Sequence, residues 1–258
     1  MRTFAMVAFF CALLISCGGS NPSNGNSNDV NPSNLTGNWE GQLTSSTPGH
    51  SRGVALFMTQ SGASLVGPRV LFGLTQSYVL CDFGGTMRGT STNGQIDMTL
   101  VVPPNPTRAN LNETVVLSGT VHGGAIAGTY RDTDGCLKGD SGTFQISPAP
   151  SVTSSQWSGT WTGPFGGSGS AAADLQEDAL ARITGTVTLG GGVCDNLPNT
   201  PQNVTGTMTG TVLDMDANIA GTSYAIGGSV SSDGKTLDLV HMCQDLLEET
   251  MNITLTRP

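Results

Sequence analysis

The sequence predicts an all-β protein: two tandem, duplicated antiparallel up-and-down β-barrels of about eight strands each. Three observations carry this. Segments alternating apolar and polar residues, rich in Val, Ile and Thr, recur about every 8 to 12 residues between Gly, Ser, Asn and Asp. The second half of the chain repeats features of the first. The connections are short, with no long crossover, so consecutive strands pair antiparallel, and about eight of them remove their exposed edges by closing. Two packed sheets, a β-sandwich, are the alternative, because strand number alone does not specify closure.

Residues 1–16 come first and stand outside the fold. Arg2 precedes an apolar run of about a dozen residues, too short to span a bilayer as a helix, which reads as an export signal. Its end, Leu14-Ile15-Ser16-Cys17, resembles the lipobox of bacterial lipoproteins. That resemblance implies cleavage before Cys17, acylation of its thiol by fatty chains such as palmitate, and attachment to a membrane through the N-terminal lipid. Gly18 and Gly19 follow in place of the aspartate that retains such proteins at an inner membrane, so the resemblance implies the outer membrane of a two-membrane cell. Residues 17–34, rich in Asn, Ser and Gly, form a flexible tether with a reach of roughly 20 to 25 Å.

The chain carries a formal charge of −9, and without residues 1–16 it holds 19 acidic against 9 basic residues. Such a balance excludes nucleic acid as a partner, because phosphate binding needs clustered Lys and Arg. The charge is uneven. Residues 35–148 hold 7 acidic and 6 basic residues, whereas 157–258 hold 11 and 3.

The first module is expected over 35–148, a linker over 149–156 and the second module over 157–258. Val54-Ala-Leu-Phe-Met-Thr-Gln60, Ile96-Asp-Met-Thr-Leu-Val101, Thr114-Val-Val-Leu-Ser-Gly-Thr-Val121 and Ala125-Ile-Ala-Gly-Thr-Tyr130 are strands of the first. In the second, Ala171-Ala-Ala-Asp-Leu-Gln-Glu-Asp-Ala-Leu-Ala-Arg182 favours helix by propensity. By position it matches a hairpin of the first half, and two strands are expected there. The repeat aligns Gly37-x-Trp39-x-Gly41 with Gly159-x-Trp161-x-Gly163, and both halves carry Gly-Thr segments such as Ser118-Gly-Thr and Thr205-Gly-Thr.

Each half also holds two cysteines, Cys81 and Cys136, then Cys194 and Cys243. In an oxidising compartment four cysteines allow three pairings, and the repeat selects Cys81 with Cys136 and Cys194 with Cys243. Each bond would contribute on the order of 4 kcal/mol. The C-x-x-C spacing of a metal site is missing.

Leu35-Thr-Gly-Asn-Trp39 is similar to the first strand of avidin-like barrels, and G-x-W near a module's start resembles the lipocalin hallmark. The lipocalin-like resemblance implies that Trp39 and Trp161 plug the closed ends of their barrels. It also implies an arginine on the last strand packed across the ring, a place Arg257 offers to Trp161; the first half ends Thr143-Phe-Gln-Ile-Ser147 without one. The further tryptophans with which avidins stack biotin have no counterpart in the first half, and the later lipocalin motif T-D-x-x-Y does not occur. Aromatic residues concentrate in the first half, Tyr130 among them, which makes that barrel the better candidate for a ligand cavity.

Chemistry is sparse. His50, His122 and His241 stand far apart and fit no metal-ligand spacing. No G-x-S-x-G elbow occurs. Asp132-Thr-Asp-Gly-Cys-Leu-Lys-Gly-Asp140 is dense in acids but lacks the ligand pattern of a calcium loop and reads as a solvated turn. No catalytic residue, metal ligand or cofactor is therefore assigned. The expected function is that of a lipid-anchored, non-enzymatic envelope protein binding a small apolar or amphipathic ligand in a barrel. The alternative is a structural or adhesion module with solid barrels. An empty interior in residues 35–148 favours the first, a filled one the second.

Overall fold

A computed structural model describes residues 34–73, 84–105, 111–163, 166–190, 199–219, 222–242 and 250–258; Asn31–Pro258 forms one compact unit. The first barrel comprises β1 (Gly37–Ser45), β2 (Arg52–Ser61), β3 (Ser64–Phe72), β4 (Gly84–Thr92), β5 (Gln95–Asn105), β6 (Leu111–His122), β7 (Ala125–Gly135) and β8 (Ser141–Pro148). The second comprises β9 (Ser154–Thr162), β10 (Ser168–Glu177), β11 (Arg182–Leu189), β12 (Gln202–Thr209), β13 (Val212–Ile219), β14 (Thr222–Val230), β15 (Thr236–Met242) and β16 (Thr250–Thr256). Neighbours in sequence are neighbours in each sheet, and β1 pairs with β8 as β9 does with β16. Both barrels are closed, so the sandwich alternative falls.

The expected hairpin over 171–182 is β10 and β11. Ala171, Ala173 and Leu175 are buried while Ala172, Asp174 and Gln176 face water, a period of two that overrides helix propensity. In β16, likewise, Met251, Ile253 and Leu255 point inward and Thr250, Asn252, Thr254 and Thr256 outward. Apolar-in and polar-out is the reverse of the alternation of a barrel that faces lipid.

The first barrel has unequal ends. At one, two-residue turns such as Asn93-Gly94 and Gly123-Gly124 use the positive φ angles of twist-matched hairpins. At the other, strands are joined by the longer segments 46–51, 73–83, 106–110 and 136–140.

Register corrects the repeat frame. Gly41 lies opposite Val54 and Ile146, and Gly159 lies opposite Ala171 and Leu255. Both glycines point inward where a Cβ would run into a neighbouring carbonyl, that of Gln145 or that of Thr254. The counterpart of Trp39 is thus Trp157, not Trp161, and the shared motif is W-x-G. The Gly-Thr segments have the same cause. Gly119 and Gly206 face inward against the carbonyls of Ala127 and Asp214, so these strands bend sharply where the sheet coils shut.

β9 begins at Ser154, ahead of the expected module start at 157. Val152, fully buried, already belongs to the second core. The outer face of β2 supports the contact between the barrels. Phe57 leaves the first barrel's wall and joins the core cluster of the second, the cluster that also holds Trp157 and Ala181. Around it, Asn38 Nδ2 donates to Glu177 Oε1 at 2.7 Å and Asn38 Oδ1 accepts from Gly210 N at 3.1 Å. Thr211 donates from its backbone N to Glu40 Oε2 at 3.0 Å and bonds the same oxygen through its hydroxyl. Arg69 donates from Nη2 to the Leu180 carbonyl at 3.0 Å, with its guanidinium 5.2 Å from the Phe57 ring.

Candidate functional site

The densest charge in the described interior lies at the long-loop end of the first barrel. Arg52 shares the inward parity of Val54, Leu56 and Met58 on β2, so its alternation drives a cation into the barrel. It is 3% exposed, and its partners Glu113 and Asp132 are each 1% exposed. Nη1 donates to Glu113 Oε1 at 2.6 Å, and Nη2 donates to both Asp132 oxygens at 3.0 Å. The guanidinium also lies 4.7 Å from the centre of the Phe72 ring, a cation–π contact strengthened by loss of water.

A second network adjoins it. Tyr130 OH donates to Asp140 Oδ2 at 2.8 Å and Ser45 Oγ donates to Asp140 Oδ1 at 2.6 Å. His50 Nδ1 stands 3.7 Å from Asp140 Oδ1. Backbone bonds tie the networks together: Asp132 N donates to the Asp140 carbonyl at 2.8 Å, and Gly139 N to the Asp132 carbonyl at 2.9 Å.

These surroundings drive the two carboxyls apart. Burial pushes Asp132 up to about 7 against the pull of Arg52, with Glu113 and Asp140 adding to the rise. Burial also raises Asp140, but hydrogen bonds from Ser45, Tyr130, Thr47 and the Ser141 backbone outweigh it and hold the carboxyl below its ordinary range. Burial, then the bond to Asp140, raises the Tyr130 phenol. Chemically this is a seal of charges paired with one another through Nη1 and Nη2 of Arg52, whose Nε is buried without a hydrogen-bond partner among the described residues. Asp132 turns to Arg52 while Asp140 turns to Tyr130 and Ser45, so the acidic turn does not focus on one cation. Among the described residues no group of three or more His, Cys, Asp or Glu is placed to hold a metal.

The residues singled out from sequence fall in different places. Trp39 sits at the tight-turn end of its barrel, with Nε1 donating to the Leu35 carbonyl at 2.9 Å. Trp161 is at the opposite end of its own barrel, where Nε1 donates to Gly190 O at 2.8 Å. Arg257 does stack on a tryptophan, but on Trp157, at 4.7 Å. It faces that ring because strand pairing sets Ser158 against Thr256, one residue short of the Trp157 and Arg257 pair. Its guanidinium is fixed by the carbonyls of Gly234, Thr153 and Ser151 at 2.6, 3.0 and 2.8 Å. Tyr130 belongs to the seal. Cys136 is disulfide-bonded; Cys17, Cys81, Cys194 and Cys243 lie outside the described residues, and with them the expected pairings and lipid site. His241 Nδ1 is 3.0 Å from Ala225 O, and His122 is exposed at the end of β6.

Sequence reasoning missed Arg52, Glu113, Phe57 and Trp157. Arg52 carried a signal, a lone charge in phase with the inward Val54, Leu56 and Met58. Phe57 carried the converse, a large ring on the outward phase of the same strand.

No protein-family model, curated protein or solved structure matches the chain.

Proposed function

We propose that the chain is a lipid-anchored, non-enzymatic envelope protein whose two solid barrels form a structural or interaction head, working through their outer walls. The observation that supports this is the filling of the first barrel. Leu43, Val54, Leu56, Met58, Met87, Ile96, Leu100, Val115, Leu117, Ile126 and Ile146 expose nothing to a water-sized sphere, so no water-sized void touches them. The lipobox resemblance at Cys17 supplies the anchor, and the outer membrane is the expected site. The titratable groups gathered at the seal bind one another, which supports a role without catalysis.

The carrier reading keeps one observation in its favour. A groove of about 350 Å³ between the barrels has Leu71, Pro103 and Val212 on its walls, apolar surface of the kind small-molecule sites use. Native mass spectrometry of the protein from its own cell separates the two. The interaction reading expects the mass of the acylated polypeptide alone; a small molecule that co-purifies in stoichiometric amount overturns it in favour of a carrier. Replacing Cys17→Ala is expected to move the protein from the membrane to the soluble fraction and abolish lipid labelling.

A further inference from the structure

The outer wall of the first barrel carries a polar ladder along the seam of β1 and β8. Glu40 lies opposite Ser147, Gln42 opposite Gln145 and Thr44 opposite Thr143. Three rungs two residues apart cover about 13 Å at the rise of an antiparallel strand. The middle rung is flanked by small residues, since Gln42 pairs on its other side with Gly53 and Gln145 with Ala127. The two amides therefore stand beside open space. Beneath them Gly41 lets the backbones of β1 and β8 approach more closely than any side chain would permit. The result is a groove of about 680 Å³, within the size range of small-molecule sites. One end is fixed by the second barrel, whose Thr211 holds the Glu40 carboxylate.

We propose that this groove binds a neutral, hydroxyl-rich chain, a short stretch of uncharged glycan. The inference rests on the interaction reading above and names its surface and partner chemistry. Gln42 and Gln145 each offer a carbonyl acceptor and two N–H donors, and Thr44, Thr143 and Ser147 offer hydroxyls. That mixed set matches vicinal hydroxyls, which both donate and accept. Charge selects against other occupants. A polyanion meets a chain of net charge −9, and a cationic peptide finds only Glu40 on these rungs, already engaged by Thr211. An apolar ligand would strip water from the amides without replacing its hydrogen bonds. Two glutamines facing each other in the centre give the ladder its grip, and the hydroxyl rungs extend it along the chain.

The test uses the full chain in detergent on an array of neutral and anionic oligosaccharides, with Gln42→Ala/Gln145→Ala alongside. Both side chains are exposed, so the variant is expected to keep its fold, which unchanged near-ultraviolet circular dichroism of the buried tryptophans verifies. Binding confined to neutral oligosaccharides and weakened roughly tenfold or more by the double substitution supports the proposal. Binding only to anionic glycans, binding that the substitutions leave unchanged, or no binding overturns it. A photo-crosslinking residue placed at position 145 in living cells separates the two levels. A protein adduct without glycan binding removes the glycan and leaves the interaction reading standing. Absence of any protein adduct together with absence of glycan binding removes both.

Discussion

The two barrels solve one problem with different chemistry. Where β1 pairs with β2 near the loop end of the first barrel, Leu43 stands opposite Arg52; at the same place in the second, Trp161 stands opposite Gly169. The first end is closed by a cation held between carboxylates. The second is closed by an indole for which Gly169 makes room, since a Cβ there would press on Trp161. At the other end the contrast repeats. The first barrel closes with its own Leu35 and Trp39, while the second needs Arg257 over Trp157 and Phe57 lent by its neighbour. Duplication has therefore kept the strand frame and the inward glycines and exchanged the plugs. A closed barrel specifies a volume to be filled, and an ion network and an indole both fill it. They differ in what happens when a piece is removed.

Removing Arg52 gives the largest expected effect. Arg52→Ala takes the cation from Glu113 and Asp132 within a dry site and is expected to destabilise the first barrel by roughly 3 to 5 kcal/mol, measured as a fall in the urea midpoint. Replacing the set together, Arg52→Met with Glu113→Leu and Asp132→Leu, should be close to neutral, as the indole that closes the same end of the second barrel implies. If the triple variant is as unstable as the single one, the network does more than seal. Next is Phe57→Ala, expected to cost about 3 kcal/mol as a buried aromatic truncation. Its loss should show in hydrogen exchange as weakened protection around Trp157, Leu175 and Ile183, in the barrel that does not contain the mutated residue. Protection lost only within residues 37–148 would mean that the contact does not stabilise the second core.

The strand number, tandem order and the hairpin over 171–182 were legible because alternation and turn residues are local signals, whereas closure, expected but with a sandwich as its alternative, was decided by the pairing of β1 with β8 and of β9 with β16. The repeat was legible only in outline. G-x-W-x-G occurs at both Trp39 and Trp161, and the sequence prefers the longer match, but closure decides by contact. Of the four glycines in the two frames, only Gly41 and Gly159 occupy points where strands nearly touch, and that depends on strands about 100 residues apart. A pair of substitutions tests this register. Gly41→Ala and Gly159→Ala should each cost roughly 1 to 3 kcal/mol by overpacking against backbone. Gly163→Ala should cost less, because the nearest atom to the added methyl would be the Trp161 ring edge, at 3.1 Å, with the nearest backbone atom, the Gly167 carbonyl, at 3.9 Å. Equal costs at 159 and 163 would restore the frame suggested by sequence. The seal was illegible for a related reason: Arg52, Glu113 and Asp132 come from three distant strands, and only their shared inward phase hints that they meet.

The smallest effect separates the two ends by pH. The Asp132 carboxyl, near 3.9 when unfolded, is pushed up to about 7 in the folded barrel. The folded state therefore binds this proton more tightly. Its contribution to stability is complete below about 4 and is lost as pH rises through about 7. Asp140 has the opposite sign: its folded carboxyl is held low, so its contribution is present above the unfolded value and lost on acidification. Between pH 5 and 8 the Asp132 contribution should make the stability of the first barrel decline as pH rises. Asp132→Asn, neutral throughout, should flatten that decline. Gly169 replaces Arg52 in the second barrel, and its lowered carboxyls, Asp178 and Asp233, titrate below this window. Exchange protection of its strands should then stay level from pH 5 to 8. A decline shared by both barrels, or one that survives Asp132→Asn, would place the titrating group elsewhere and detach the ionic seal from the pH response.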